Sequence, residues 1–318
     1  MKHKRLREPA ETAVRKCMRL QSTESCLIVT DHERQPIGEA LYEVANERTD
    51  DASIVRYPPG NQHGEEPPAA VAAAMQAADV VLVPTKKSLT HTKARSDATA
   101  AGARVATLPG ITEEVFVTGL DADYADIKQH CKELYAQVSG AETVRVQTKR
   151  GTDIVFRPGD REWRQDTGIV HDPESMSNLP AGEVFVSPET ANGTFVVDGT
   201  MMPHGLLEDG HVLEFEVEDG TVTEVSDDGV REELEAAAEQ VGEDAYNLAE
   251  LGIGTNVGVT ELIGSVLLDE KAAGTVHIAI GDDHAIGGDV EAPIHLDGIV
   301  RDPKVFVDGE QIDLPSGV

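Results

Sequence analysis

Apolar and polar residues alternate in two different rhythms along this chain. Up to about residue 140, short apolar runs are separated by longer stretches with helical spacing. The runs at 25–31 (SCLIVTD), 52–58 (ASIVRYP), 79–85 (DVVLVPT) and 103–109 (ARVATLP) are almost continuously apolar, which predicts strands covered on both faces. Helices are predicted between them at 36–47, 67–78 and 88–101; Pro67 and Pro68 suit a first turn, and Gly102 suits a C-terminal cap. Strand and helix repeated in this way imply a parallel sheet, so residues 1–140 are expected to form an α/β domain. A helix over 121–140 would lead out of it.

From residue 141 the strands become short and alternating, broken by Gly, Asp and Asn turns: VRVQT, TDIVF, GEVFVSP, GTFVVDG, HVLEFEVEDGTVTEV and KVFVDGEQI. With helices expected at 229–241 and 256–269, residues 141–318 read as an α+β domain.

Composition narrows the function classes. With 27 Lys plus Arg against 58 Asp plus Glu, the formal charge is −31, and long-range repulsion of phosphate excludes nucleic acid as a partner. The acidity is spread evenly and suggests a salt-rich cytoplasm. Cys17, Cys26 and Cys131 are distant from one another and form no CxxC pair, so buried thiols are expected rather than disulfides or a cysteine zinc site. No apolar run reaches the ~20 residues of a membrane span, and the basic start MKHKRLR lacks the apolar core of a signal peptide. A soluble, cytoplasmic protein is expected. No GxGxxG or GxxxxGK[ST] follows any strand, so a nucleotide has no motif support.

The chemistry concentrates near the C-terminal end. His277 sits inside the apolar run of GTVHIAIGDDHAIGG, and APIHLDG places His295 and Asp297 two residues apart. In a strand these two point to the same face while Ile294 and Leu296 face a core. Two imidazoles and a carboxylate suit a divalent metal; half-buried histidines held by local hydrogen bonds fit the same spacing. Glu183 follows a Pro-Ala-Gly turn at the mouth of a strand, and Glu250 precedes a Gly-rich turn with Leu251 and Ile253 on the opposite face. His204 and His211 flank GLLEDG and read as turn residues. His91, Lys93 and Arg95 lie together in SLTHTKAR, where the two cations stand out in an acidic chain, and Trp163 reads as packing.

These segments, taken in order, resemble a known family. PPAAVAAAMQAADVVLVPTKKSLTHTKAR, GTDIVF, NLPAGEVFVSPE, ANGT, FEVEDGTV, AELGIGTN, LLDEKAAGTVHIAIG and IHLDG are similar to segments of the metal-dependent aminopeptidases of the aminopeptidase T and aminopeptidase S (leucyl aminopeptidase) type. The resemblance implies metal ligands at Glu183, Glu250, His277, His295 and Asp297, holding two ions such as Zn, Co or Mn. It implies two-metal hydrolysis of a peptide or related small substrate, with Glu183 and Glu250 assisting. It also implies a homodimer. The family's catalytic tyrosine, seven residues after the first metal-binding histidine, is replaced here by His284, which reads either as a catalytic hydrogen-bond donor in its place or as a loop residue, and the chain is shorter than usual members. The same residues also resemble a ring-cleaving iron enzyme type, the 2,5-dihydroxypyridine 5,6-dioxygenases. There His277, His295 and Asp297 alone would form a two-His, one-carboxylate triad for Fe(II). A metal-binding relative without activity is the third reading.

The even acidity makes a prediction independent of activity. Screening shrinks from ~30 Å at 0.01 M salt to ~3 Å at 1 M, so carboxylate repulsion should lower the melting temperature as KCl is removed. A melt unchanged between these two salt levels would contradict the salt-adaptation reading.

Overall fold

The computed structural model describes the backbone of residues 2–317 and side chains from Arg5 to Gly317. The chain divides into two compact units, Met1–Lys128 with Asp166–Ala181, and Gln129–Gln165 with Gly182–Val318. It passes from one to the other more than once, first within the helix Tyr124–Val138.

In the first unit the four expected strands form, as Cys26–Asp31, Ala52–Tyr57, Val80–Thr85 and Arg104–Pro109. They pair in parallel with Ala52–Tyr57 at one edge, followed by Cys26–Asp31, Val80–Thr85 and Arg104–Pro109. A short fifth strand, Met176–Asn178, adds in parallel at the far edge. Asn178 secures it by accepting hydrogen bonds from Thr107 (2.6 Å) and Thr90 (3.2 Å) through Oδ1. The three inner strands are buried along almost their whole length because helices cover the sheet, with Val71, Met75, Ala94 and Ala98 packed on Leu27, Val29, Val81 and Val83, whereas the edge strand Ala52–Tyr57 is half-buried to exposed.

Local chemistry moves two helix boundaries. The helix expected over 88–101 spans only Lys93–Ala100, because Thr92 caps it by accepting from Arg95 N at 3.3 Å. Upstream, the Ser88 and Thr90 hydroxyls bond each other at 2.9 Å and hold a turn that competes with helix. Of the helix expected over 256–269, only Val266–Asp269 forms. Asn256 Oδ1 holds a turn at Gly258 N, and the Asp269 carboxylate accepts from Ile263 N, Gly264 N and Thr200 Oγ1, which fixes the intervening segment as loop. An unanticipated N-terminal helix, Lys2–Glu11, continues into a wider turn, Thr12–Cys17, and buries Leu6, Ala10, Ala13 and Val14.

The second unit is mostly antiparallel. One seven-stranded sheet runs Thr221–Val225, Leu213–Glu218, Thr190–Val197, Asp153–Arg157, Val144–Gln147, Lys304–Val307, Glu310–Ile312. A second sheet runs His295–Val300, Val276–Gly281, Leu248–Gly254, Glu183–Val186, Arg164–Asp166. This is the expected architecture, a parallel α/β unit and an antiparallel α+β unit. Cys17, Cys26 and Cys131 are all buried. Among the described residues, no helix is long and apolar enough to cross a membrane.

Candidate metal centre

Four adjacent strands of the second sheet bring together all five residues singled out as ligands. Register explains how. Directly opposed residues on antiparallel strands share a face, and so do residues two apart along a strand. Glu250 lies opposite Ala279, and Ala279 lies opposite Asp297. His277 faces Gly252, Glu183 faces Gly254, and His295 faces Gly281. Every functional side chain therefore has glycine or alanine as a cross-strand neighbour, and that row of missing side chains is where imidazoles and carboxylates gather. The opposite face carries Leu251, Ile253, Ile278 and Ile280, all fully buried.

Gly252 matters most. A Cβ built there would lie 2.0 Å from His277 Nε2, so only glycine lets this imidazole lie across the neighbouring strand. His277 Nε2 thereby reaches Glu250 Oε1 at 3.2 Å and Glu183 Oε2 at 3.4 Å. The other oxygen of Glu250 points the opposite way, 3.5 Å from His295 Nε2, which is itself 3.4 Å from Asp297 Oδ1. Glu250 is thus the shared member of two clusters, Glu183–Glu250–His277 and Glu250–His295–Asp297, each close enough to hold a metal ion. Glu183, Glu250 and His277 are buried, whereas the His295 side chain is 33% exposed and marks the open edge.

Backbone geometry orients His295. Its Nδ1 lies 2.7 Å from the Asp282 carbonyl and donates to it, which leaves Nε2 free to face the carboxylates. The loop that supplies this carbonyl is tied down by buried Asp283, which accepts from Ser187 Oγ (2.9 Å), Asn247 Nδ2 (3.1 Å) and Val290 N (2.8 Å).

The donor set fits a divalent cation. Glu183 Oε2 is buried with no hydrogen-bond partner, and anionic oxygens crowd against the Nε2 atoms of both imidazoles. Burial pulls the His277 imidazole down, but Glu250, Glu183 and Asp297 outweigh it and raise the group to about 9. His295 is driven well above its ordinary value by Asp297 and Glu250 against the effect of burial, and Asp297 is held low by His295 despite its own burial. Burial pushes Glu183 up, opposed by Lys271 and His277.

Two neighbours were not picked out from the sequence. Lys271, 3% exposed, places Nζ 2.6 Å from Glu183 Oε1 and 2.8 Å from Glu270 Oε1. The signal lay in LLDEKAAG, where three consecutive charged residues, Asp269, Glu270 and Lys271, interrupt a small and apolar run. His284, by contrast, is exposed in the short turn His284–Ile286 and belongs to neither cluster. His204 pairs with Asp227 at 2.8 Å and packs edge-on to His211 at 5.8 Å, as a turn would have it, and Lys93 pairs with Asp97. Trp163 is buried.

Comparison with known proteins separates the readings. The model of the NicX family, described as 2,5-dihydroxypyridine 5,6-dioxygenase, matches residues 12–315. The structure of 2,5-dihydroxypyridine dioxygenase from Pseudomonas putida KT2440 is similar with a TM-score of 0.81 and 20% identity, covering 99% of this chain and 97% of that one. Wild-type AmpT from Thermus thermophilus, an aminopeptidase T, is similar with a TM-score of 0.69 and 18% identity, covering 98% of this chain and 99% of that one. At these identities the two structures establish a shared fold. No curated protein matches the sequence.

The family match overturns the expectation of a leucyl-type metallo-aminopeptidase, and with it the hydrolase assignment. The error has a physical origin. The same imidazole and carboxylate positions resemble both enzyme types, and the position where the aminopeptidase resemblance implies a tyrosine holds His284, an exposed turn residue.

Two predictions follow from this geometry. Gly252→Ala should displace the His277 ring, lowering divalent-metal affinity at least tenfold, a loss typical of disturbed ligand support, and calorimetric titration would read it. Unchanged affinity would contradict the role given to Gly252. In chelator-treated protein, the raised His277 contributes stability that is complete below ~6.5 and fades as pH rises through about 9. The melting temperature should therefore fall between pH 6.5 and 9.5 more steeply in wild type than in His277→Gln. Parallel curves would mean that His277 carries no extra proton.

Proposed function

The chain belongs to the NicX family, and from that premise we propose that it is a ring-cleaving dioxygenase acting on a dihydroxylated pyridine or a closely similar ring. The observation that carries this reading is the gathering of His277 on one side of Glu250 and of His295 with Asp297 on the other, all on one sheet face with an edge open at His295. Two imidazoles and one carboxylate form the donor set of non-haem Fe(II) oxygenases, which keeps further positions open. We assign Fe(II) to these three residues. Bound there, Fe(II) would supply the redox chemistry that brings dioxygen into reaction with a closed-shell ring.

The protein's own groups do the remaining work. His295 is held in one tautomer by the Asp282 carbonyl, so its Nε2 is presented without a proton once the ion is in place. His277 is locked by burial and by the absent side chain at Gly252. Glu250, buried between the two imidazoles, is the group we assign to accept a proton from a ring hydroxyl, which makes the ring more electron-rich. The ring enters past His295, where the site is exposed. Glu183 and His277 close the inner wall and keep bulk water from that side. Glu183 is engaged by Lys271 and is given no proton-transfer role.

Cleavage that keeps both oxygen atoms consumes one dioxygen per ring and needs no added reductant. Metal-free protein reconstituted with Fe(II) should therefore take up oxygen and ring substrate in equal amounts with 2,5-dihydroxypyridine, without a nicotinamide cofactor. An oxygen electrode coupled to loss of ring absorbance measures both. His295→Ala and Asp297→Ala should each lower turnover at least a hundredfold and lose bound iron. Full uptake in either variant, or uptake with no iron present, would overturn the assignment.

A further inference from the structure

We propose that Lys271 occupies the second cation position of this centre, so that the chain holds one metal ion where its carboxylates could otherwise hold two. This rests on the metal assignment above and deepens it. Two clusters share Glu250, which on donor chemistry alone would suit a pair of ions bridged by a carboxylate. The clusters differ in what surrounds them. In the Glu183–Glu250–His277 cluster, Glu183 Oε1 is already taken by Lys271 Nζ at 2.6 Å. Lys271 is buried and is also bonded to Glu270 at 2.8 Å, so its charge is neutralised by two carboxylates at once. An ion placed on Glu183 would share that carboxylate with an ammonium group and be repelled by it in a site where solvent screens little.

The Glu250–His295–Asp297 cluster is different. Among the described residues His295 pairs with both Glu250 and Asp297, the charge of Lys271 bears on Asp297 as well, and the His295 edge is exposed. An ion entering from solvent meets His295 and Asp297 first, and His277 Nε2, just across Glu250, is the third ligand assigned above. Lys271 thus does for Glu183 and Glu270 what a second ion would do: it neutralises them and fixes their orientation. Unlike a metal ion, it brings no open coordination position that could activate water. Retention of Glu183 in a chain assigned a one-iron reaction is then explained as the partner of Lys271.

The test counts ions instead of turnover. Chelator-stripped protein is saturated with Mn(II), freed of excess, and analysed for manganese per chain and by electron paramagnetic resonance. Wild type should hold one Mn(II) with an isolated-ion spectrum, and K271R should do the same. K271Q removes the charge while keeping a similar length, and should hold two, with the spectrum broadened by coupling between neighbouring ions. Two ions in wild type, or one in K271Q, would overturn the proposal while leaving the metal assignment intact; no ion in wild type would overturn both. If K271Q unfolds without metal, because Glu183 and Glu270 have lost their cation, Mn(II) should refold it at two ions per chain. A K271Q chain still unfolded at saturating Mn(II) would count against Lys271 as a replaceable cation.

Discussion

The constraint that organises this molecule is the cost of gathering carboxylates. Glu183, Glu250, Glu270 and Asp297 lie within one network in a chain whose formal charge is already −31. Buried anions this close raise each other's free energy unless cations stand among them. The structure supplies Lys271 and two imidazoles whose proton affinity is raised by those same anions. A divalent ion is the natural completion of such a set, since it replaces protons that the carboxylates hold on the histidines.

That demand dictates the sheet beneath it. Charged groups can converge only where nothing else projects, which is why the face facing the site carries Gly252, Gly254, Ala279 and Gly281 opposite the functional residues. Glycine inside strands weakens them, so the cost has to be met elsewhere. It is met on the other face, where Leu251, Ile253, Ile278 and Ile280 are fully buried, and at the strand connections, where Asp283 ties the loop to Ser187 and Asn247. The same loop delivers the Asp282 carbonyl to His295, so the bond network that stabilises the connection also sets the chemistry of the ring nitrogen.

Much of this was legible in the sequence, for identifiable reasons. The parallel strands were visible because burial on both faces leaves unbroken apolar runs, as in DVVLVPT and ARVATLP. His295 and Asp297 were visible because a strand's two-residue period places both on one face. Other features depend on contacts that no local pattern carries. Met176–Asn178 is three residues long, and its pairing rests on side-chain bonds to Thr90 and Thr107. The helix expected over 256–269 gave way to turns organised by Asp269, whose partners lie as far away as Thr200. Lys271 was hidden because a lysine in an acidic chain reads as a surface residue until its two carboxylate partners are seen around it.

The most instructive failure concerns reaction type. Ligand residues are set by the need to hold a cation, and hydrolysis and oxygenation share that need, so the ligand pattern resembles both families at once. What separates the reactions lies one layer out. It includes which carboxylates are left unengaged to work on water, which position offers a hydroxyl donor, and how many cations the site can hold. Here Glu183 is engaged by Lys271, the position expected to carry tyrosine is an exposed His284, and the buried cation beside Glu183 is an ammonium group. Each of these is a single side chain within a segment that otherwise resembles the hydrolases. On the reading proposed above, the groups that neutralise and orient the ligands, Lys271 first among them, carry the distinction between reactions that the ligands themselves do not.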